Sequence, residues 1–201
     1  NRTKFKRVAL NQTANVAQII MDFDPHLIVH LGVWEPNARL SPDEADRTTS
    51  DVGRAVFDAA HQSQSLEAVV LRSGLEVYGT RSHAPLTPNE FTSTAPASRY
   101  GRMLHFLERQ AADLRASRGV AVTNLRLAPV LGAHVPSPLG RLLRLPAVPF
   151  LLAGDPEFTV IEDRDAALAF TLAAQHRFDG SINVMADGSI TARKAALIGK
   201  R

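Results

Sequence analysis

The chain contains no cysteine and no long apolar run, and these two absences exclude several classes of protein. Without cysteine, the 201 residues can form neither a disulfide framework nor a thiolate metal site. This composition is compatible with a reducing compartment, so we expect a cytoplasmic protein. No apolar run reaches the roughly 20 residues that a membrane-spanning helix needs, and the first residues lack the pattern of a signal peptide. We therefore expect no membrane partner.

The net charge of the chain is also small. The formal net charge is only +3 at pH 7, and the arginines are scattered along predicted helices rather than gathered in a patch. This pattern argues against a nucleic-acid partner. His26 and His30 lie four residues apart on a predicted strand, with no accompanying pattern of acidic residues, so we expect no metal site there.

Apolar periodicity predicts strands that alternate with helices. The run HLIVHL at 26–31 is typical of a parallel strand that is buried on both faces. The predicted strands are residues 5–10, 26–31, 67–72, 120–127 and 181–185, and the predicted helices are residues 14–23, 43–62, 97–117, 140–145, 163–175 and a last helix from residue 191. This alternation predicts βαβ units with right-handed crossovers, and therefore an α/β fold.

The stretch from Leu66 to Glu108 is the most informative part of the sequence. A short apolar strand ends in small residues and the tripeptide VYG, a polar loop with three prolines follows, and Ser98 then marks the start of an amphipathic helix. In an open α/β sheet, a site forms where the carboxyl end of a strand faces the first turn of a later helix. We therefore place the candidate site between this strand end and Tyr100.

These pieces, in this order, resemble the extended short-chain dehydrogenase/reductase family, the NAD-dependent epimerases and dehydratases of nucleotide sugars. The family shows S-x-Y-G-x-x-K and a Glu four residues beyond the Lys; Ser98, Tyr100, Gly101 and Glu108 match, and Leu104 stands in place of the Lys. Some details are similar to a group labelled UDP-glucose 4-epimerase-like. Five further segments match family motifs in the same order: HLIVHLGV, SDVGRAVFDAA, RLAPVLGAH, FTVIEDRDAALA and SINVMADGSIT.

The resemblance implies a Rossmann-like doubly wound parallel sheet with a small C-terminal substrate lobe. Residues 1–131 would form the NAD(P)-binding domain, and residues 132–201 the substrate-side lobe, interleaved with that domain. It also implies NAD or NADP as cofactor and a nucleotide sugar or a similar hydroxyl compound as substrate. Family members often form homodimers through the helices predicted here at 43–62 and 97–117, so we expect a homodimer.

The same resemblance assigns roles to individual residues. Tyr100 would be the catalytic residue that transfers a proton to or from the substrate hydroxyl. The expected cofactor-binding residues are Gly32, Val33, Ser73, Tyr100 and Ala128. The expected substrate-binding residues are Gly74 and Pro129.

The sequence departs from the family at the glycine-rich turn that binds the dinucleotide pyrophosphate. Such a turn needs glycines so that backbone N–H groups can approach the phosphates. No two of the 12 glycines are three residues apart, so G-x-x-G-x-x-G is absent. We expect a shortened chain that begins downstream of the first βαβ unit, rather than a genuine loss of the turn.

The second departure concerns the residues that assist Tyr100. Leu104 replaces the Lys that lowers the pKa of the family's Tyr, Gly74 replaces the Ser or Thr that orients the substrate oxygen, and Pro129 replaces an Asn. Ser73 is adjacent to Gly74, but successive residues of a strand point to opposite faces. Two interpretations stay open: an oxidoreductase with impaired or altered catalysis, or a non-catalytic module that binds a nucleotide or a partner. In the second, Tyr100 is only a structural aromatic residue.

Overall fold

The computed structural model describes residues 3–9, 12–35, 40–80, 87–132, 135, 138–143, 145, 154–155 and 157–199. The helices are α1 (Thr13–Phe23), α2 (Pro42–Gln62), α3 (Arg99–Arg118), α4 (Pro138–Leu143), α5 (Asp163–His176) and α6 (Ala192–Gly199). The strands are β1 (Leu27–His30), β2 (Ala68–Gly74), β3 (Ala121–Leu127), β4 (Val130–Leu131), β5 (Glu157–Phe158), β6 (Ile161–Glu162), β7 (Gly180–Val184) and β8 (Ile190–Thr191). A 3₁₀ turn (Leu75–Tyr78) follows β2 directly.

A four-stranded parallel sheet in the order β1-β2-β3-β7 forms the centre of the molecule. β2 pairs with β1 from Leu27↔Ala68 onward and with β3 along its whole length, to Gly74↔Leu127. Six of the seven β2 residues are buried, which is why its first four residues, Ala68 to Leu71, form a continuous apolar run in the sequence. The predicted α/β fold with a parallel sheet is confirmed.

Helices cover both faces of this sheet. β2 sends Val69 and Leu71 into a core shared with α2 and α3, and Val70 into a second core shared with α5. The alternation follows from the period of two along a strand. The first core contains the large buried side chains of the α2 and α3 face, Phe57, Leu104, Leu107 and Leu114. The fold is therefore doubly wound, as predicted.

Local sequence signals fix where the two helices of the first face begin. Ser41 caps α2, its hydroxyl accepting from the Glu44 amide while the Glu44 side chain returns to the Ser41 amide, and Pro42 occupies the first helical position. Ser98 caps α3 by accepting from the Gly101 amide at 2.9 Å. Both are strong helix-start signals because they satisfy amide groups that have no partner within the helix.

Most of the predicted elements agree with the structure to within two residues, but the strand predicted at 5–10 is wrong. Residues 5–9 form neither helix nor strand, and Phe5 is 87% exposed. A short apolar segment becomes a strand only when a neighbouring strand satisfies its backbone groups. The apolar segment 147–153 lies outside the described residues.

The chain from residue 130 onward contributes to the central sheet and to two smaller sheets. β7 completes the central sheet and α5 covers one of its faces, whereas β4 pairs with β6 and β5 pairs antiparallel with β8 as two small separate sheets. The substrate-side lobe at 132–201 stays a prediction. Across the described part of the chain, no helix is both long enough and apolar enough to cross a membrane.

Gly101 lets α3 pack closely against the 3₁₀ turn. A Cβ atom at this residue would lie 2.5 Å from the carbonyl oxygen of Glu76, a backbone atom that cannot rotate away. The first turn of α3, and with it Tyr100, is held against the end of β2 because this helix position carries no side chain.

We predict that Gly101→Ala destabilises the protein by about 1–3 kcal/mol through this overlap, although alanine in a helix is normally favoured over glycine. The control is Gly154→Ala, where an added Cβ atom would meet no other atom within 4 Å and the backbone φ lies outside the left-handed region. Urea unfolding of both variants measures the difference. Equal stabilities for the two variants would contradict the close contact.

Candidate functional site

The candidate site lies at the carboxyl ends of β1 and β2, facing the first turn of α3. Tyr100 is the second residue of α3, and its hydroxyl oxygen accepts a hydrogen bond of 3.0 Å from Nη2 of Arg72. Arg72 is the fifth residue of β2 and reaches across the strand end. The sequence-predicted pairing of this strand end with the start of the helix is therefore present.

Arg72 links three groups at the site. Besides Tyr100, its guanidinium donates to Glu35 Oε1 at 3.2 Å and to the Val33 carbonyl at 3.3 Å. The fork of N–H groups on a guanidinium suits such multiple contacts, and its positive charge persists at every accessible pH. The loop after β1, strand β2 and helix α3 thus meet at one cation.

Tyr100 is held in its neutral form by its surroundings. Burial raises the pKa of the Tyr100 phenol above its usual value near 10; the Arg72 charge acts in the opposite direction, while Glu35 and Glu76 raise the pKa further. Burial also raises the pKa of the Glu76 carboxyl. The site therefore combines a phenol, a cation and two carboxyl groups in a partly dehydrated environment.

Leu104 lies one helical turn beyond Tyr100, at the position that the resemblance assigns to the family's lysine. It is completely buried and belongs to the core between the sheet and the α2–α3 face. A Cβ atom on Gly74 would lie 3.0 Å from Leu104 Cδ1 and would overlap Glu76 Oε2. Leu104 and the Glu76 carboxylate therefore occupy the space beside Gly74 where a serine or threonine side chain would begin.

The structure places Gly32 and Val33 beside the site through their backbone. A Cβ on Gly32 would lie 3.0 Å from atoms of both the His30 and Trp34 rings, so these rings pack against that glycine. The Val33 side chain is 8% exposed and in the core, and its carbonyl accepts from Arg72. Burial lowers the pKa of His30 to about 4, so this histidine is neutral near pH 7.

The Ser73 hydroxyl belongs to a buried polar network. It donates to Glu108 Oε1 at 2.6 Å, and Arg126 donates to both oxygens of the same carboxylate at 2.9 and 2.8 Å. Arg126 also donates to the Tyr78 hydroxyl at 2.8 Å, and Tyr78 donates to Asn183 at 2.7 Å. The network joins α3 to the ends of β2, β3 and β7.

The remaining predicted residues, Ala128 and Pro129, lie where β3 leaves the central sheet. Ala128 is buried and its amide donates to the Val184 carbonyl at 2.9 Å, while the Pro129 carbonyl accepts from the Ile161 amide at 3.1 Å. The Leu127 carbonyl lies 3.5 Å from the Cβ position of Gly74. These two residues thus follow directly on a strand end that borders Gly74, and their binding roles stay predictions.

Arg72 and Glu35 are site residues that the sequence analysis did not identify. One signal was available for Arg72, since charged residues are rarely buried in an apolar parallel strand unless they are paired. Glu35 carried no such signal, because it follows β1 in a loop and nothing in the sequence aims it at Tyr100. Among the described residues there is no group of three or more histidine, aspartate or glutamate side chains arranged to hold a metal ion.

Comparison with known proteins identifies the family of the chain and relatives with the same fold. The model of the NAD dependent epimerase/dehydratase family matches residues 1–184, so the chain belongs to that family. An uncharacterized protein of Mycobacterium tuberculosis is 28% identical over 184 residues, which are 90% of this chain and 49% of the relative. The chain thus spans about half the length of the curated relatives it matches.

Solved structures with the same fold include UDP-glucose 4-epimerases. The enzyme from Thermotoga maritima, determined with UDP-glucose, superposes with a TM-score of 0.79 at 18% identity, covering 98% of this chain and 67% of that one. The enzyme from Brucella ovis, in complex with NAD, superposes with a TM-score of 0.77 at 18% identity, covering 96% of this chain and 67% of that one. At these identities the likeness establishes the fold.

We predict that Glu108→Gln destabilises the protein by about 3–5 kcal/mol, because it leaves the Arg126 guanidinium buried without its counter-charge. Both side chains of this pair are only 7% exposed. The control is Asp51→Asn, which breaks the exposed Asp51–Arg54 pair and should change stability by less than about 1 kcal/mol. Urea unfolding distinguishes the two, and a loss below 1 kcal/mol for Glu108→Gln would contradict a structural role for the network.

Proposed function

We propose that the complete protein is an NAD(P)-dependent oxidoreductase of the epimerase/dehydratase type with altered catalysis. Its substrate would be a nucleotide sugar or a similar hydroxyl compound. The observation that carries this proposal is the placement of the Tyr100 hydroxyl, 3.0 Å from a guanidinium at the carboxyl end of β2. A phenol held beside a cation at such a strand end is suited to proton transfer with a bound hydroxyl group. Membership of the family and the NAD-bound Brucella ovis structure support the choice of cofactor.

The described residues fit a dinucleotide only in part. The backbone at Gly32 and Val33 and the Tyr100 phenol lie together at the strand ends, but Leu104 offers no donor for a ribose hydroxyl and the Trp34 ring packs on Gly32. When bound, NAD would accept the hydride that leaves a carbon atom of the sugar. The residues of this chain would handle the proton. The ionised oxygen of Tyr100, a minor form because burial raises the pKa of the phenol, would take the proton from the hydroxyl group as that carbon becomes a carbonyl.

The proposed alteration of catalysis follows from the absence of the two helper residues that are usual in the family. Leu104 supplies no charge, and Gly74 supplies no hydroxyl to orient the substrate oxygen. Loss of acid–base assistance commonly costs about 10²–10⁴-fold in rate. We therefore expect slow turnover compared with an enzyme of the family that retains both groups.

A non-catalytic binding module of the same fold is the second candidate. Complete burial of Leu104, with its side chain packed beside Gly74, favours it, because this packing serves stability and leaves no empty place for a polar helper. Such a module would bind a nucleotide or a partner without turnover. The two candidates differ in a single measurable property, which is turnover that depends on Tyr100.

Calorimetric titration of the full-length protein with NAD⁺ and NADP⁺ tests the cofactor. We expect one of the two to bind with a dissociation constant in the micromolar range, equivalent to about −8 kcal/mol. Absence of heat at millimolar concentrations of both would contradict the oxidoreductase proposal.

Turnover of UDP-glucose and UDP-N-acetylglucosamine by Tyr100→Phe tests the chemistry. We expect a rate at least about 10²-fold below that of the parent protein, and calorimetry of the same variant separates a loss of cofactor affinity from a loss of chemistry. Arg102→Met is the control, because Arg102 is exposed on the same helix and donates to the Ala97 carbonyl. Cofactor binding without turnover in the parent protein would favour the non-catalytic candidate instead.

A further inference from the structure

Tyr100 has no cation one turn along its own helix, but its hydroxyl group accepts a hydrogen bond from a cation on a neighbouring strand. Leu104, one helical turn beyond Tyr100, is wholly buried and apolar. The guanidinium of Arg72 instead reaches the phenol from strand β2 at 3.0 Å. A positive charge within about 4–6 Å favours the ionised form of an acid, whichever element of the fold supplies it.

The other described cations near the start of α3 are engaged elsewhere. Arg99 pairs with Asp43 and Asp46 on the exposed side of the helix, and Arg102 donates to the Ala97 carbonyl. Arg126 is bound to Glu108 and Tyr78 in the buried network. Of the arginines that the structure describes on β2, β3 and the first turn of α3, Arg72 is the one that contacts the Tyr100 hydroxyl.

Packing explains why the cation comes from the strand. Leu104 Cδ1 lies 3.0 Å from the Cβ position of Gly74, so the apolar side chain of α3 and the bare glycine of β2 fill one space together. A lysine at 104 would have to leave its ammonium group in this fully buried core, which is costly for an unpaired charge. Arg72 precedes Gly74 by two residues and is 28% exposed in its side chain, so it holds its charge at the edge of the site.

We propose that Arg72 takes over the electrostatic role of the family's lysine and acts as the positioning residue for the Tyr100 phenol. The inference rests on the proposed function, in which Tyr100 transfers the proton. Glu35 Oε1 accepts at 3.2 Å from Nη2, the same atom that donates to the phenol, and the Val33 carbonyl accepts from Nη1 at 3.3 Å. The groups that face the phenol are thus Arg72 from β2, Glu35 from the loop after β1 and Glu76 from the 3₁₀ turn.

The acidity of the phenol itself tests this inference without cofactor or substrate. The described chain has two tyrosines, Tyr78 and Tyr100. Replacing tyrosine by 3,5-difluorotyrosine gives more acidic phenols, whose titration ¹⁹F NMR can follow within the pH range of the folded protein. Tyr78→Phe and Tyr100→Phe assign the signals, and the probe at 78 serves as an internal reference because its partners are Arg126 and Asn183.

We expect Arg72→Met to raise the pKa of the probe at 100 by one unit or more, about a tenfold loss of acidity. Arg72→Lys keeps the charge and should raise the pKa by less. Arg99→Met, which removes a neighbouring cation that does not contact the phenol, should change neither probe. A pKa in Arg72→Met within about 0.3 unit of the parent value would overturn the inference.

Should Arg72→Met fail to fold, Arg72→Gln decides, because it keeps a hydrogen-bond donor and removes the charge. It should raise the pKa of the probe at 100, and an unchanged or lowered pKa would overturn the inference. If the parent protein has turnover, Arg72→Met should lower kcat more than it changes KM and move the pH profile to higher pH, with partial rescue in Arg72→Lys. The NMR titration needs no NAD, so a failure of cofactor binding would reject the proposed function alone. A pKa of the probe at 100 that does not change in the Arg72 variants would reject the role of Arg72 alone.

Discussion

The buried ion pair between Glu108 and Arg126 is the interaction on which the position of the site depends. It joins α3 to β3 by two short hydrogen bonds, and Ser73 adds a third from β2. Because these groups are almost fully buried, every donor and acceptor that loses its partner there would carry a large penalty. Tyr100 lies on the same helix as Glu108, so fixing the helix at Glu108 also fixes the distance of the phenol from the end of β2.

Close packing at the start of the helix completes this arrangement. Gly101 contacts the backbone of the 3₁₀ turn, and Gly74 lies against Leu104 and the Glu76 carboxylate. These contacts couple positions 74 and 104. A leucine in the core and a glycine on the facing strand share one space, so a larger side chain at position 74 would displace the leucine.

Membership of the NAD-dependent epimerase/dehydratase family defines the kind of protein. At the strand end of this chain, a phenol lies near a guanidinium and two carboxyl groups, a set of charges with its own acid–base properties. The proposed oxidoreductase and the alternative binding module share the fold and differ in whether this set of charges is used for proton transfer. That distinction lies in the site and not in the architecture.

The sequence alone determined the architecture and the location of the site. Continuous apolar strands, helical periodicity and the capping signals at Ser41 and Ser98 are local patterns, and each expresses the physics of one element. They placed Tyr100 opposite the end of β2, and the order of the motifs identified the family. The false strand at 5–10 shows the limit of such patterns, since pairing with another strand is not a local property.

Only the tertiary structure decided which side chains meet. Arg72 and Tyr100 are 28 residues apart and Glu35 is 37 residues from Arg72, so no spacing rule for helices or strands relates them. The burial of Ser73 against Glu108, in place of contact with the site, likewise depends on how α3 packs on the sheet. Side chains from three elements converge because the sheet and its helices bring distant segments together. A local sequence pattern carries no information about such contacts.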